Sequence, residues 1–219
     1  MGKINSNKKI VVKFGGSSLA DHERLLKAVV AVVNEAKKGT RVAVVVSAMG
    51  KTTDVLMTTA KNASNGKLEK KDLDDILSMG ERTSIRIFST ALRTNAAESC
   101  YFDPIDNNWP IITDSAFQNA NPILKDSEKN IRECILPIME RGVIPVVAGF
   151  LGKTKDGKIT TLGRGGSDTT AFILAEALGA DEIVLVTDAD GIMSGDPKIV
   201  SNPEHLREID VNTVNVDFS

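Results

Sequence analysis

Four short runs rich in Val and Ile constrain the fold of this 219-residue chain more than any other feature. They occupy residues 9–14, 41–48, 143–150 and 182–188. Each run is almost continuously apolar, which is typical of strands that are buried on both faces of a parallel sheet. Segments with helical spacing of apolar residues separate the runs. The sequence therefore predicts an α/β fold, with a mainly parallel sheet sandwiched by helices.

The segments between the runs carry boundary residues that predict helices and one hairpin. The predicted helices are one capped by Asp21 and stopped by Gly39, 54–65, 69–95 with an interruption near Gly80, one from Ser127 to Arg141, and 167–178. We expect Pro137 to kink or break the fourth helix. An Asp-Gly pair within 153–161 predicts a hairpin. Residues 101–114 are predicted to form a loop that contains a short strand at 111–113.

Composition excludes several classes of protein. The chain is 42% hydrophobic and 26% charged, with a formal net charge of −2 and no basic block. With only 4% aromatic residues, it offers little for binding nucleic acid or an anionic membrane. No apolar run reaches 18 residues, and MGKINSNKK is not followed by the apolar region of a secretion signal. Cys100 and Cys134 lie far apart, so we expect a reduced, cytoplasmic protein.

Small and polar residues follow the predicted strands, where ligands bind in parallel α/β sheets. These candidates are Lys13, Gly15, Gly16 and Ser17, then Ser47 and Thr53, then Arg164, Gly165, Gly166, Ser167 and Asp168, then Thr187 and Asp188. Glycine permits close approach of the backbone to a ligand, and amides at helix N-termini bind anions. Two such sites facing each other suit two anionic reactants.

Each candidate feature, taken alone, can also be explained without a ligand. A Gly-Gly pair after a strand is usually a turn, and a loop arginine is usually a solvated charge. Lys13 is the exception, because lysine in a buried strand needs a partner. The patterns GxxxxGK[ST], GxGxxG and GxSxG are absent, which excludes P-loop enzymes, dinucleotide-binding Rossmann folds and α/β-hydrolases. His22 and His205 are isolated, so we expect no histidine metal site.

Five segments resemble those of aspartate kinases, in the amino-acid kinase superfamily, and occur in the same order. They are VVKFGGSSLA (11–20), VSAMGKTTD (46–54), SMGERTS (78–84), TTLGRGGSDTTA (160–171) and TDADGIMSGDPKIV (187–200). The resemblance implies transfer of the γ-phosphoryl group of ATP to the β-carboxylate of L-aspartate, with Mg²⁺ carried on ATP. The product, 4-phospho-L-aspartate, is the first intermediate toward lysine, threonine and methionine.

The resemblance also implies a role for each candidate residue. Lys13, oriented by Asp168, contacts the transferring phosphoryl oxygens, and Gly15, Gly16 and Ser17 supply donors to phosphate. Glu81 holds the substrate ammonium group, and Ser47 and Thr53 contact the substrate. Arg164, beside Gly165, Gly166 and Ser167, clamps a substrate carboxylate. Thr187 and Asp188 border the nucleotide, as do Met193, where many relatives have Tyr, and Lys198, where many have Arg.

The end of the chain departs from the family pattern. Relatives continue well beyond residue 210 with more of the kinase core and then with paired ACT domains, whereas this sequence stops at Ser219. We therefore expect residues 1–219 to be one catalytic domain that is incomplete at its C-terminal end and lacks the regulatory domains, and to form a homodimer by analogy. The alternatives are a related kinase with another acidic substrate and a non-catalytic ligand-binding fragment.

Overall fold

The central sheet has five strands that all run parallel. The computed structural model describes residues 8–187, and these strands are β1 (Lys9–Phe14), β2 (Arg41–Val46), β3 (Ser99–Phe102), β5 (Ile144–Ala148) and β8 (Glu182–Val186). They lie in the order β3-β5-β2-β1-β8, with parallel register at each junction. The prediction of a mainly parallel sheet is confirmed, and all four apolar runs are strands of it.

Helices cover both faces of this sheet. They are α1 (His22–Lys37), α2 (Thr52–Ala63), α3 (Lys70–Thr94), α4 (Leu124–Asn130), α5 (Leu136–Glu140) and α6 (Gly166–Leu178). Successive side chains of a strand point to opposite faces. On β1, Lys13 pairs with α6, whereas the next residue, Phe14, packs on Phe88 of α3 with the ring centroids 5.4 Å apart. Helices α6 and α3 therefore lie on opposite sides of the sheet.

A second, three-stranded sheet stands beside the first. Its strands β4 (Ile112–Thr113), β6 (Leu151–Thr154) and β7 (Ile159–Thr161) lie in the order β4-β6-β7. Strands β6 and β7 are antiparallel, which confirms the hairpin predicted from the Asp-Gly pair. Strand β7 leads directly into the glycine-rich segment before α6, so this small sheet determines where that segment begins.

The predicted interruption near Gly80 is wrong, because α3 is one continuous helix of 25 residues. A glycine inside a helix costs about 1 kcal/mol relative to alanine, which a long buried face readily offsets. The expected cap of α1 is confirmed, since the Asp21 side chain accepts a hydrogen bond from the Arg24 amide at 2.9 Å. Strand β3 was not predicted. As an edge strand it has only one buried residue among four, so it lacks a continuous apolar run.

The helix predicted from Ser127 begins instead at Leu124. Ser127 is no cap, because it is buried and its hydroxyl accepts a hydrogen bond from the Ile112 amide at 3.0 Å. The expected irregularity at Pro137 is confirmed: a π-helical segment, Ile131–Ile135, separates α4 from α5, and the proline lies in the first turn of α5. There its missing N–H needs no helical partner.

Contacts place the described residues up to Val186 in one compact unit. The single domain expected for residues 1–219 extends beyond the described residues and stays a prediction. Within residues 8–187, no helix is long and apolar enough to cross a membrane.

Candidate active site

A cavity of about 410 Å³ lies where β1 and β2 end and α6 begins. Its walls come from segments far apart in sequence, because parallel strands end on the same edge of a sheet. The predicted site residues that line it are Lys13, Gly15, Gly16, Ser47, Thr53, Glu81, Gly165, Gly166, Ser167 and Asp168. The candidate segments after the first three apolar runs therefore share one cavity.

Lys13 supplies a positive charge to this cavity from within a buried strand. Its Nζ lies 2.7 Å from Oδ1 of Asp168, in the first turn of α6, and its side chain is only 13% exposed. A lysine so deeply placed is stable only beside a counter-charge. The ion pair holds the ammonium group beside Asp168; the role expected for Asp168 in orienting Lys13 toward a ligand stays a prediction.

A second lysine on the same strand holds the other end of α6. Lys9 Nζ donates a hydrogen bond to the carbonyl of Leu178, the last residue of the helix. Cations are favourable at the C-terminal end of a helix, where carbonyl groups lack partners. Lys9 and Lys13 therefore attach opposite ends of α6 to the same strand.

Glu81 contributes a buried carboxylate from α3. The residue is 3% exposed, and its Oε1 accepts a hydrogen bond from the Ala48 amide at 3.0 Å. Its Oε2 is also buried but has no hydrogen-bond partner among the described residues. Burial raises the pKa of Glu81 to about 7, and the Ala48 amide opposes that rise. A buried acceptor without a partner costs about 1–3 kcal/mol, so this oxygen is poised to accept a donor from a ligand.

The helix that carries Glu81 is held in place by a cluster of three charged side chains, which includes the next residue, Arg82. Arg82 Nε lies 3.0 Å and 3.1 Å from the two carboxylate oxygens of Asp103, which follows β3. Arg86 Nη2, one turn along α3, lies 2.6 Å from Oδ2 of the same fully buried carboxylate. Two guanidinium groups thus balance one buried charge, and they fasten α3 to the edge of the main sheet.

A second fully buried carboxylate anchors the strand before the glycine-rich segment. Asp74 of α3 accepts hydrogen bonds from the amide of Thr161 at 3.1 Å, from its hydroxyl at 2.7 Å, and from the Gln118 amide at 2.8 Å. Thr161 is the last residue of β7. Asp74 therefore fixes the point from which the segment 162–165 crosses to the cavity.

We expect Asp74→Ala to lower the free energy of unfolding by about 2–5 kcal/mol, because it leaves two backbone N–H groups and a hydroxyl buried without acceptors. Asp74→Asn, which keeps one acceptor oxygen in place, should lose less than half as much. Urea unfolding followed by circular dichroism measures both changes. Equal losses in the two variants would contradict this account of Asp74.

Hydroxyl groups from the end of β2 and from the first turn of α6 meet on one wall of the cavity. Ser47 Oγ donates to Ser167 Oγ at 3.0 Å. Gly149 makes this approach possible, since a Cβ atom at that position would lie 2.7 Å from Ser167 Oγ. The absence of a side chain after β5 therefore lets α6 begin close to β2.

The glycines after β1 allow neighbouring backbone segments to approach closely beside the cavity. The Gly50 amide donates to the Gly16 carbonyl at 2.9 Å, and a Cβ atom on Gly16 would lie 2.7 Å from the Ala48 carbonyl oxygen. The Gly15 amide donates to the Val186 carbonyl at 3.3 Å, so it is engaged by β8. A Cβ atom on Gly15 would lie 3.8 Å from Nζ of Lys13, so the absence of a side chain leaves that ammonium group uncovered on this side.

Comparison with known proteins identifies the family. Residues 8–217 match the model of the amino acid kinase family. The chain belongs to this family. This chain is 41% identical over 202 residues to the aspartokinase of Geobacillus stearothermophilus, a match covering 91% of this chain and 47% of that relative. It is 38% identical over 200 residues to aspartokinase 2 of Bacillus subtilis, with the same coverages, 91% and 47%.

Solved structures give the same result for the fold of this chain. E. coli aspartokinase III in complex with aspartate and ADP superimposes with a TM-score of 0.80 at 26% identity, over 91% of this chain and 53% of that chain. An isopentenyl phosphate kinase shares the fold alone, with a TM-score of 0.63 at 16% identity. The predicted resemblance is confirmed. The chain spans about half the length of the curated relatives it matches.

Arg164 is the described candidate whose position differs most from expectation. It is exposed and lines a smaller cavity of about 280 Å³, which shares Phe150 and Gly163 with the first cavity. The structure therefore does not place this guanidinium among the groups lining the cavity with Lys13 and Glu81. Its role as a carboxylate clamp stays a prediction that requires the side chain to turn about the glycines beside it.

The remaining candidates either do not line the cavity or lie outside the described residues. Ser17 begins a 3-10 turn, Ser17–Leu19, and Thr187 is an exposed residue directly after β8; neither lines the cavity. Asp188, Met193 and Lys198 lie outside the described residues. Within residues 8–187, no three His, Cys, Asp or Glu side chains are grouped as a metal site.

Sequence reasoning missed four residues that line the cavity: Ala48, Gly50, Phe150 and Gly163. Ala48 acts through its backbone amide, which no residue pattern reveals. Phe150 ends an apolar run and so looks like core, but its positive φ of 67° places it at a sharp bend. Positive φ is uncommon in residues other than glycine, and the preceding Gly149 is the one feature of the sequence that indicates the bend.

Proposed function

We propose that this chain forms the phosphoryl-transfer site of an aspartate kinase, which converts ATP and L-aspartate into ADP and 4-phospho-L-aspartate. One observation carries the proposal: a buried carboxylate without a partner on Oε2 of Glu81 shares a cavity with the Lys13 ammonium group. An amino-acid substrate presents both an ammonium group and carboxylates, and this cavity offers an opposite charge to each.

The chemistry needs no general base. A free carboxylic acid side chain has a pKa near 3.9, so the β-carboxylate of aspartate is already an ionised nucleophile at neutral pH. A bond forms between a carboxylate oxygen and the γ-phosphorus while the bond from that phosphorus to the β–γ bridging oxygen breaks. No proton moves in this step, which agrees with a cavity that contains no histidine among its described residues.

The protein's task is to bring two anions together, because phosphoryl transfer depends mainly on positioning and charge stabilisation. Lys13, fixed by Asp168, stabilises negative charge on the transferring group. Glu81 accepts a hydrogen bond from the substrate ammonium through Oε2. Ser47, Thr53 and Ser167 offer hydroxyls to the substrate, and the N-terminal end of α6 adds its partial positive charge.

The residues present fit a bound nucleotide phosphate. Gly15, Gly16 and Gly50 line the cavity, and apart from Gly165 itself and its two neighbours in the chain, no described atom lies within 4 Å of the place where a Cβ of Gly165 would stand. Mg²⁺, when carried on the phosphates, neutralises part of their charge with few protein ligands. The expected contacts of Ser17, Thr187, Asp188, Met193 and Lys198 with the nucleotide belong to this proposal.

The experiment is a hydroxylamine-trapping assay for acyl phosphate, with the 219-residue chain, MgATP and L-aspartate. We expect hydroxamate that depends on aspartate and is not formed with L-glutamate. Formation with glutamate instead would indicate a related kinase with another acidic substrate. Absence of product, together with no binding of ATP or L-aspartate by calorimetry, would contradict the proposal and favour a non-catalytic domain.

The wider biological role rests on the same proposal. An aspartate kinase supplies 4-phospho-L-aspartate to lysine, threonine and methionine biosynthesis, and we place the protein in the cytoplasm on that basis. A homodimer is expected from the resemblance alone, and sedimentation velocity measures it directly.

A further inference from the structure

Gly80 occupies a position where alanine would ordinarily be favoured. It lies in the interior of α3, where replacing glycine by alanine stabilises a helix by about 1 kcal/mol. Gly80 is buried, however, and a Cβ atom there would lie 2.7 Å from Cβ of Ala48. The next nearest atoms, on Thr52 and Thr53, would be at ordinary contact distances of 3.6 Å and 3.7 Å. One methyl group, that of Ala48, is the obstacle to a side chain at this position.

This close approach has a direct effect on the neighbouring residue. Ala48 rests on α3 at Gly80, and its amide donates to Oε1 of Glu81 at 3.0 Å. That bond holds one carboxylate oxygen and leaves Oε2 buried without a partner. If the segment after β2 moved away from α3 by a few tenths of an ångström or more, the hydrogen bond to Oε1 would lengthen or break and the carboxylate could rotate.

We propose that Gly80 is a positioning residue for the ammonium group of the substrate. By lacking a side chain, it seats the Ala48 amide against Glu81 and so aims Oε2 into the cavity. The proposal concerns the orientation of Glu81; that the bound group is the ammonium of an amino acid rests on the function proposed above. A purely structural role for Gly80 would affect stability and leave the electrostatics of Glu81 unchanged.

The protonation of Glu81 separates these two roles. Burial raises its pKa to about 7, while the Ala48 amide lowers it by favouring the ionised form. Lys13 of β1 and Asp168 of α6 face the same cavity, but they are paired with each other at 2.7 Å. Arg82, on the same helix, is paired with Asp103, which follows β3. If the hydrogen bond from the Ala48 amide is lost, the ionised carboxylate loses a stabilising contact while burial continues to disfavour it. The pKa of Glu81 therefore rises.

Three variants test the proposal: Gly80→Ala, Ala48→Gly, and the two combined. The readout is the titration of the Glu81 side-chain carboxyl by carbon-13 NMR without substrate, with Glu81→Gln assigning the signal. In Gly80→Ala we expect the midpoint to move upward by about one to two pH units, because a hydrogen bond to a charged group is lost. Ala48→Gly alone, which keeps the amide and removes only the methyl, should titrate as the parent chain does.

The combined variant makes the test independent of whether Gly80→Ala folds well. Removing the Ala48 methyl gives the new Cβ at position 80 its space, so we expect the Glu81 midpoint to return to its value in the parent chain. In the trapping assay, KM for aspartate should rise at least about tenfold in Gly80→Ala and recover in the combined variant, with a smaller change in kcat.

Two results would overturn the proposal. One is an unchanged Glu81 titration in folded Gly80→Ala, and the other is a combined variant whose Glu81 midpoint stays displaced. Failure of the proposed function is a separate outcome, because the NMR titration uses no substrate. A displaced and then restored midpoint in a chain that forms no acyl phosphate would support the positioning of Glu81 and reject the aspartate kinase assignment.

Discussion

Replacing Lys13 with methionine is expected to lower kcat for acyl phosphate formation about 10²- to 10³-fold, with little change in the fold. Removal of one preorganised group that stabilises developing charge has an effect of this size. Methionine retains the apolar stem that packs in β1, so the variant removes the charge with little loss of packing. Stopped-time hydroxamate assays at saturating MgATP and L-aspartate measure kcat, and circular dichroism reports the fold.

Lys9→Met is the matched control. It removes a lysine from the same strand that contacts the same helix, but at the end of α6 remote from the cavity. We expect a modest loss of stability and a kcat within about threefold of the parent chain. If Lys13→Met retained the parent kcat, the contact of Lys13 with the transferring phosphoryl group would be refuted. Equal losses in both variants would show that the position of α6 matters and the charge does not.

Glu81→Gln is expected to remove a pH dependence of about 3 kcal/mol from the free energy of unfolding. Burial raises the pKa of Glu81 from 4.5 to about 7, so the folded protein holds a proton that the unfolded chain releases above its lower pKa. Stability therefore falls as the pH rises from about 4.5 to about 7 and stays lower above it. One pKa unit corresponds to about 1.4 kcal/mol. Glutamine has no proton to lose and does not show this fall.

The measurement is urea unfolding of both proteins at pH 5 and at pH 8. At each pH, the free energy of unfolding of Glu81→Gln is subtracted from that of the parent chain. The change in this difference between pH 5 and pH 8 decides the test, because any effect of the amide that does not depend on pH cancels. A value near zero would mean that Glu81 titrates normally. L-aspartate should restore stability to the parent chain at pH 8 and not to Glu81→Gln, since an ammonium group on Oε2 stabilises only the ionised carboxylate.

The fold was predictable because its strands are buried on both faces. Continuous Val- and Ile-rich runs such as RVAVVV (41–46) leave few alternatives to a parallel sheet, and Gly179 and Asp21 mark helix ends by local chemistry. Strand β3 was missed because an edge strand is partly exposed to solvent and so lacks a continuous apolar run. Gly80 was misread as a break because sequence shows the helix propensity of a residue and not what packs against it.

The sequence was sufficient to predict which strand ends form the site. It was not sufficient to predict the contacts that the residues of the site make with one another. Lys13 was conspicuous, because a charge within a buried strand requires an explanation. The pairing of Glu81 with the Ala48 amide could not be foreseen, since backbone groups are the same at every residue. The location of Arg164 in a neighbouring cavity depends on which way the segment after β7 turns, and that direction is set by Asp74, which is 87 residues away from Thr161 in sequence.

The position of β1 between β2 and β8 has a consequence for folding during synthesis on the ribosome. The Lys9 amide reaches its acceptor on Asp181 across 172 residues of sequence. At roughly 5–20 residues per second, synthesis of that interval takes about 10–30 s. During this time one edge of β1 has no strand to pair with, and Lys13 has not met Asp168. Non-local closure of this kind is slow even after synthesis ends. The ion pair between Lys13 and Asp168 therefore cannot form until α6 has been synthesised, and a nascent chain that has not yet reached β8 carries an open, apolar edge on β1.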